Sequence, residues 1–376
     1  METTPAAEGA TTPVASASRW KRDLAFVCLG LKVLVFTIGI VAAEARLDRP
    51  FRDLDTALAL WNQWDSKHYL EIAKNGYAPP KESANLVFPP LLPVLIRSAG
   101  AFFHSVEAGA VVVVTLLSFV PGILLYRLAR LDTDEDTAFR AALLLLIFPT
   151  GFFLHIVYTE GLFLSTILAA FLAAREGRWR DAALYGALAG VTRINAFLLA
   201  PALILEAWGT SSRGRASRVF AACFVGVGTA AYLILNYSVA GDPLAFIAIQ
   251  REAFYRTFAA PWEGALNVWS LARSGGTDSM LNGVIQGACI PLLIAACVAA
   301  RKQRASYAIW TIGNVLLFSS QSFWISVPRL SLALFPMFIW LASRTGGRVI
   351  GSLWFAASVS FFSFFAGQFA QGWWVS

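Results

Sequence analysis

WNQWDSKHYLEIAKNGY, residues 61–77, lies in the first long polar segment between apolar runs of a chain of 376 residues that is 57% hydrophobic and only 14% charged. A soluble domain carries nearer a quarter charged residues. Apolar runs flank the stretch, at 23–45 upstream and at 86–103, 106–127, 138–156, 159–174, 181–207, 217–240, 280–300, 305–325, 327–343 and 349–371 downstream. Several approach the ~20 residues that carry a helix across a bilayer core. None alternates in the ~10-residue pattern of a barrel strand. The expected fold class is therefore an all-α polytopic membrane protein, a multi-helix bundle with a large first external loop, amphipathic helices in that loop, and broken or re-entrant helices.

The net charge of +7 is spread over short loops. This is the pattern of topology signals, not of a nucleic-acid surface. Six basic clusters fall between runs: Arg19/Lys21/Arg22, Arg127/Arg130/Arg140, Arg175/Arg178/Arg180, Arg213/Arg215/Arg218, Arg301/Lys302/Arg304 and Arg344/Arg348. Placing all six in the cytoplasm makes 46–86 the first external loop and 241–278 the second. Residues 86–103, with Pro89, Pro90 and Pro93, become a re-entrant segment or one half of a hairpin. Residues 181–207 start and end at basic clusters, so they must turn near Arg193. Tyr158-Thr159-Glu160 and Ser326-Val327-Pro328-Arg329 become external turns. Residues 1–18 read as a disordered tail, and 19–376 as one transmembrane domain. Its first run is longer than a signal-peptide core and reads as an uncleaved signal anchor with a cytoplasmic N-terminus.

At about 100° per residue, 54–74 fit one helix with Leu54, Ala57, Leu58, Trp61, Trp64 and Ile72 on an apolar stripe. Asp65 and His68 fall inside that stripe. A carboxylate there is costly unless paired or functional. Two readings stay open: a structural pair with His68 or an arginine, or a base of raised basicity at the membrane face. Asp53 and Asp55 read as helix N-terminal carboxylates or as a second acidic site.

Other ionisable residues stand out against apolar surroundings. Glu160 either pairs an arginine locally or shapes a substrate pocket. Arg193, in Thr192-Arg193-Ile194-Asn195, either pairs Glu160 or offers its planar fork to phosphate oxygens. Arg329 follows Pro328 with the same two readings. Lys32 and Glu206 are long enough to snorkel, and nothing further is read from them. Cys28, Cys223, Cys289 and Cys297 lie in apolar runs without metal-ligand spacing. No phosphate-binding glycine loop, HExxH, EF-hand or GxSxG motif is present, which argues against a nucleotide-dependent cytosolic enzyme or pump.

The stretches WDSKHYLEIAKNGY, FPPLLPVLIR, FPTGFFLHIVYTEGLFL, TRIN, GDPLAFIAIQ and SVPRLSLALFP follow one another in this order. Together they resemble the PIG-V family of the GPI mannosyltransferase 2 type, in particular its bacterial members. Pro90 departs from the family's usual FPLYPLL. The resemblance implies a GT-C fold and an inverting glycosyltransferase that takes mannose from a polyprenyl-phosphate donor. The acceptor would be a lipid, glycan or protein on the extracytoplasmic face of a bacterial plasma membrane. It assigns Asp65 as the essential acidic residue of the first external loop. Trp64, His68, Tyr69, Glu160, Arg193, Asn195 and Arg329 match motif positions expected to bind substrate. No metal, cofactor or nucleic acid is expected. The rival classes are a lipid-linked sugar flippase and a non-catalytic partner of another glycosyltransferase.

Overall fold

The computed structural model describes residues 19–47, 58–209, 212–273 and 276–375; the expected tail and Asp53 and Asp55 lie outside the described residues. The chain runs through α1 (Arg19–Leu47), α2 (Asp65–Asn75), α3 (Leu91–Phe103), α4 (Val106–Ala129), α5 (Glu135–Leu146) and α6 (Glu160–Arg175). It continues through α7 (Trp179–Gly190), α8 (Leu199–Trp208), α9 (Arg215–Cys223), α10 (Val225–Ala240), α11 (Ala245–Phe254) and α12 (Pro261–Ala272). It ends with α13 (Thr277–Arg301), α14 (Ala305–Ser319), α15 (Val327–Leu330), α16 (Pro336–Ala342) and α17 (Arg348–Ala370). Among the described residues, five segments are long and apolar enough to cross a membrane: Arg19–Ala42, Val106–Ala129, Arg215–Ala240, Met280–Arg301 and Val349–Ala370. The protein is a multi-pass helical membrane protein.

Helix α6 is the central strut. It is apolar all round, and its residues from Glu160 to Ala174 are buried except for Ala169, as expected of a helix with protein on every side. At 16 residues it spans about 24 Å, and its two ends define the ends of the bundle. At its C-terminal end Arg175 holds Asp132 through both terminal nitrogens at 2.8 Å, and Arg127 reaches Glu176 at 2.9 Å. Arg175 also donates to the Tyr307 hydroxyl, which brings the start of α14 to the same end. There Arg304 forms a fork-to-fork pair with Glu206 at 2.8 and 2.9 Å. Glu206 is thus a buried partner of Arg304 and Ser306 and does not snorkel. The N-terminal end of α6 carries Glu160 and the site described below.

Close helix contacts fix the broken segments. Residues 86–103 resolve as a hairpin half. Helix α3 ends at His104, in the left-handed conformation, and α4 starts at Ser105, whose hydroxyl accepts from the Ala108 amide at 3.2 Å. A Cβ on Gly109 would meet the backbone of Gly100, so the two arms touch main chain to main chain, the usual small-residue contact of membrane helices. The same device joins α7 to α10: a Cβ on Gly228 would meet the Ala187 carbonyl. That contact anchors the last turn of α7, just before the chain breaks at Arg193.

Lys32, like Glu206, does not snorkel. It is buried, and its ammonium donates to the His155 carbonyl at 2.8 Å, inside the bundle and not out to an interface.

Candidate functional site

Asp65 is the first residue of α2. It occupies the turn where unpaired backbone amides favour a carboxylate. The expected continuous helix over 54–74 is not formed. Trp64 has φ 53° and ψ −120°, a backbone region costly for a residue with a Cβ, and the chain turns through 60–64. The single apolar stripe is broken with it. Trp61 goes inward and stacks on Phe369 at 5.9 Å, whereas Trp64, 41% exposed, meets Trp374 edge-on at 4.9 Å. Beyond the break α2 is held down at its other end: Arg97 donates to the Ala73 and Lys74 carbonyls at 2.8 and 2.7 Å.

From Asp65 a chain of alternating charges runs into the protein. Asp65 Oδ2 accepts from Arg329 Nη1 at 2.8 Å. Arg329 Nε lies 3.1 Å from Glu160 Oε1, and the same oxygen accepts from Arg193 Nη1 at 2.7 Å. The four groups come from α2, α15, α6 and the break between α7 and α8. Glu160 and Arg329 are 3% and 7% exposed, so each charge depends on its neighbours for solvation. The Arg329 guanidinium also lies over the rings of Tyr158 and Phe153, at 4.8 and 5.3 Å from their centroids. The paired readings of Asp65, Glu160 and Arg193 are therefore realised. The turns at 158–160 and 326–329 are buried, not exposed on a surface.

Asp65, Tyr69, Arg193, Asn195 and Arg329 line a cavity of about 390 Å³ that has Trp374 on its wall. Asp65 Oδ1 makes no hydrogen bond among the described residues, so one carboxylate oxygen is anchored and the other is unbonded, on a residue that lines the cavity. Tyr69 is buried, with its hydroxyl 3.3 Å from Thr159 Oγ1; burial, and then the charge of Asp65, push its phenol up. Arg193 is extended (φ −151°, ψ 142°), which turns its side chain out of the α7 register. Asn195 follows on a 3-10 turn and donates to Asn314 Oδ1 at 2.8 Å. His68 points elsewhere. Its Nδ1 is 2.7 Å from Asn85 Oδ1 and its ring stacks on Phe88 at 4.6 Å, with no hydrogen bond to Asp65.

Sequence reasoning missed Arg256 and Gln321, both on the cavity wall. Arg256 Nε donates to Gln321 Oε1 at 2.7 Å, and Nη2 reaches the same oxygen. Burial, then the nearby Arg329 and Arg193 charges, lower Arg256 to about 10, partly offset by Asp65. No sequence signal marked Arg256, which sits in a polar loop beside Arg251 and Glu252.

No curated protein matches the sequence. Among solved structures, ArnT from Cupriavidus metallidurans, bound to undecaprenyl phosphate, superimposes with a TM-score of 0.53 at 15% identity, covering 90% of this chain and 62% of ArnT. The Archaeoglobus fulgidus oligosaccharyltransferase in its apo form gives 0.49 at 14% identity, covering 93% and 56%. The same enzyme tethered to an acceptor peptide gives 0.46 at 15%, again covering 93% and 56%. The chain thus spans less than two thirds of the length of these neighbours. The ArnT likeness identifies the bundle as a GT-C fold. The family model "Mannosyltransferase (PIG-V)" matches residues 52–262, more than half of the chain, and takes in Asp65, Glu160, Arg193 and Arg256. On this match the chain belongs to the PIG-V mannosyltransferase family.

Proposed function

We propose that the protein is an inverting glycosyltransferase that moves a hexose, mannose by the family's chemistry, from a polyprenyl-phosphate sugar to an acceptor hydroxyl. In this reading the reaction lies on the extracytoplasmic face of a bacterial plasma membrane; the side of the membrane is supported by Arg127, Arg175 and Arg304, which pair at the end of α6 opposite Glu160 and Asp65. The acceptor oxygen attacks the anomeric carbon while the bond from that carbon to the phosphate oxygen breaks. The electron pair leaves with the phosphate, and the acceptor proton passes to Asp65 Oδ1. One carboxylate suffices, because a departing phosphate needs no proton, unlike the alkoxide that makes glycoside hydrolases use two.

The observation that carries this reading is the split environment of Asp65. Arg329 fixes one oxygen at 2.8 Å, and the other makes no protein hydrogen bond among the described residues, on a residue that lines a cavity of about 390 Å³. A purely structural ion pair has no need of such a vacant oxygen at a cavity wall. The test is transfer of labelled mannose from polyprenyl-phosphate mannose in membranes holding wild-type protein or Asp65→Asn at matched expression. Loss of the base should cut transfer about 10²–10⁴-fold, with label entering a lipid, glycan or protein only in wild-type membranes. An Asp65→Asn protein that transfers at the wild-type rate refutes the assignment.

A further inference from the structure

Three guanidinium groups face the cavity, and two of them are already neutralised. Arg329 lies against both Asp65 and Glu160, and Arg193 against Glu160. Arg256 differs. Its hydrogen-bond acceptor is the neutral side-chain oxygen of Gln321, and no carboxylate pairs with it among the described residues. Among the described residues, three cations against two carboxylates leave one positive charge over, and that charge sits on Arg256.

Its placement is rigid. Residues 257–259 pair with 320–322 as a short antiparallel strap: Ser322 N donates to Thr257 O at 2.9 Å, Ala259 N to Ser320 O at 3.3 Å, and the hydroxyls of Thr257 and Ser322 lie 2.7 Å apart. Gln321, in the middle of that strap, is the residue that grips the guanidinium. Holding Nε and Nη2 on one oxygen leaves Nη1 without a protein acceptor among the described residues. Tyr255, just before the strap, and Phe258, within it, are 78% and 88% exposed. Exposed tyrosines are enriched at the level of lipid headgroups.

We propose that Arg256 is the phosphate-binding residue of the site, taking the phosphate of the polyprenyl-linked donor while Arg193 and Arg329 position the carboxylates. The proposal rests on the donor reading above and goes further, by assigning the phosphate to a residue outside every motif that suggested the function. A planar guanidinium with free donors matches a phosphodiester in charge and shape. As the anomeric bond breaks, the phosphate changes from a diester with one negative charge to a monoester with more. The attraction to Arg256 therefore grows along the reaction, which favours the transition state over bound donor.

The test compares binding of undecaprenyl phosphate and undecaprenol to purified protein in phosphatidylcholine nanodiscs, with inorganic phosphate as a competitor in a parallel series. Bulk phospholipid headgroups are then present in every sample. Wild type should prefer the phosphorylated lipid, and millimolar inorganic phosphate should erode that preference only weakly, since it lacks the tail. Arg256→Gln should lower affinity for undecaprenyl phosphate about tenfold or more, leaving undecaprenol binding unchanged. Arg256→Gln with a full phosphate preference overturns the proposal. A wild-type protein that binds the two lipids alike overturns the donor reading itself, and the proposal with it. A second readout does not depend on a folded variant. In wild-type protein, undecaprenyl phosphate, but not undecaprenol, should slow amide exchange across 255–259 and 320–322, and equal protection by both lipids counts against Arg256.

Discussion

Arg329 is the residue whose loss the geometry makes most informative. It lies 2.8 Å from Asp65 and 3.1 Å from Glu160, with 8% of its side chain exposed. At an effective dielectric of about 20, each contact is worth roughly 5–6 kcal/mol of Coulomb attraction before desolvation is subtracted. Arg329→Met fills much of the same volume and removes the charge. Glu160 keeps Arg193 at 2.7 Å, so the carboxylate left without a partner is Asp65. Stranding one member of a buried pair costs about 3–5 kcal/mol. With 15% of the Asp65 side chain exposed to the cavity, the lower end, about 3 kcal/mol, is expected. The decisive comparison is with Arg329→Met/Asp65→Asn. If stranding is the cause, removing Asp65 as well should recover stability, so the double variant should be more stable than Arg329→Met alone. Equilibrium unfolding in mixed micelles, titrated with SDS and followed by tryptophan fluorescence, reads all four corners of the cycle. Additivity within about 0.5 kcal/mol, or a double variant less stable than Arg329→Met, would refute the argument that these charges form one coupled unit.

Two further outcomes follow from the packing. Gly228→Val should push α10 away from the Ala187 carbonyl at a cost of about 3 kcal/mol or more, and should lower transfer activity through displacement of Arg193; a variant of wild-type stability and activity would show that the contact does not hold the α7–α8 break. Arg97→Met should release the Ala73 and Lys74 carbonyls, at about 1–2 kcal/mol of local stability, and speed amide exchange in 66–75 while exchange in α6 stays as it was; unchanged exchange in α2 would exclude a capping role for Arg97.

The fold class was legible because composition and hydropathy act over whole segments. A run of about 20 apolar residues has few alternatives to a membrane helix, and the basic loops sorted the segments into two ends. The break at Arg193 was legible for a related reason: 181–207 joins two basic clusters and can reach back only by turning. Glu160 and Arg193 stood out because a charge inside an apolar run is costly enough to demand a partner. The start of α2 was not legible. Nothing local to Trp64 favours a positive φ; the docking of Trp61 on Phe369 and of Trp64 on Trp374, more than 300 residues away, holds the turn open.

The same contrast explains the hidden arginine. Arg329 and Arg256 lie near the same cavity, yet only Arg329 sits in an apolar setting, at the head of the 327–343 run. Arg256 follows a helix that already carries Arg251 and Glu252, so its charge looks solvated until the strap at 257–259 pairs with 320–322. That pairing joins positions about 65 residues apart. Its effect is electrostatic: it brings a third cation to a place where two carboxylates are already satisfied. A surplus charge is a property of the assembled set, and Arg256 by itself has an ordinary look in its own segment. The sequence thus marked the groups that neutralise one another, because each is costly alone. It concealed the group left without a counter-charge, which is the one placed to receive a charge from outside.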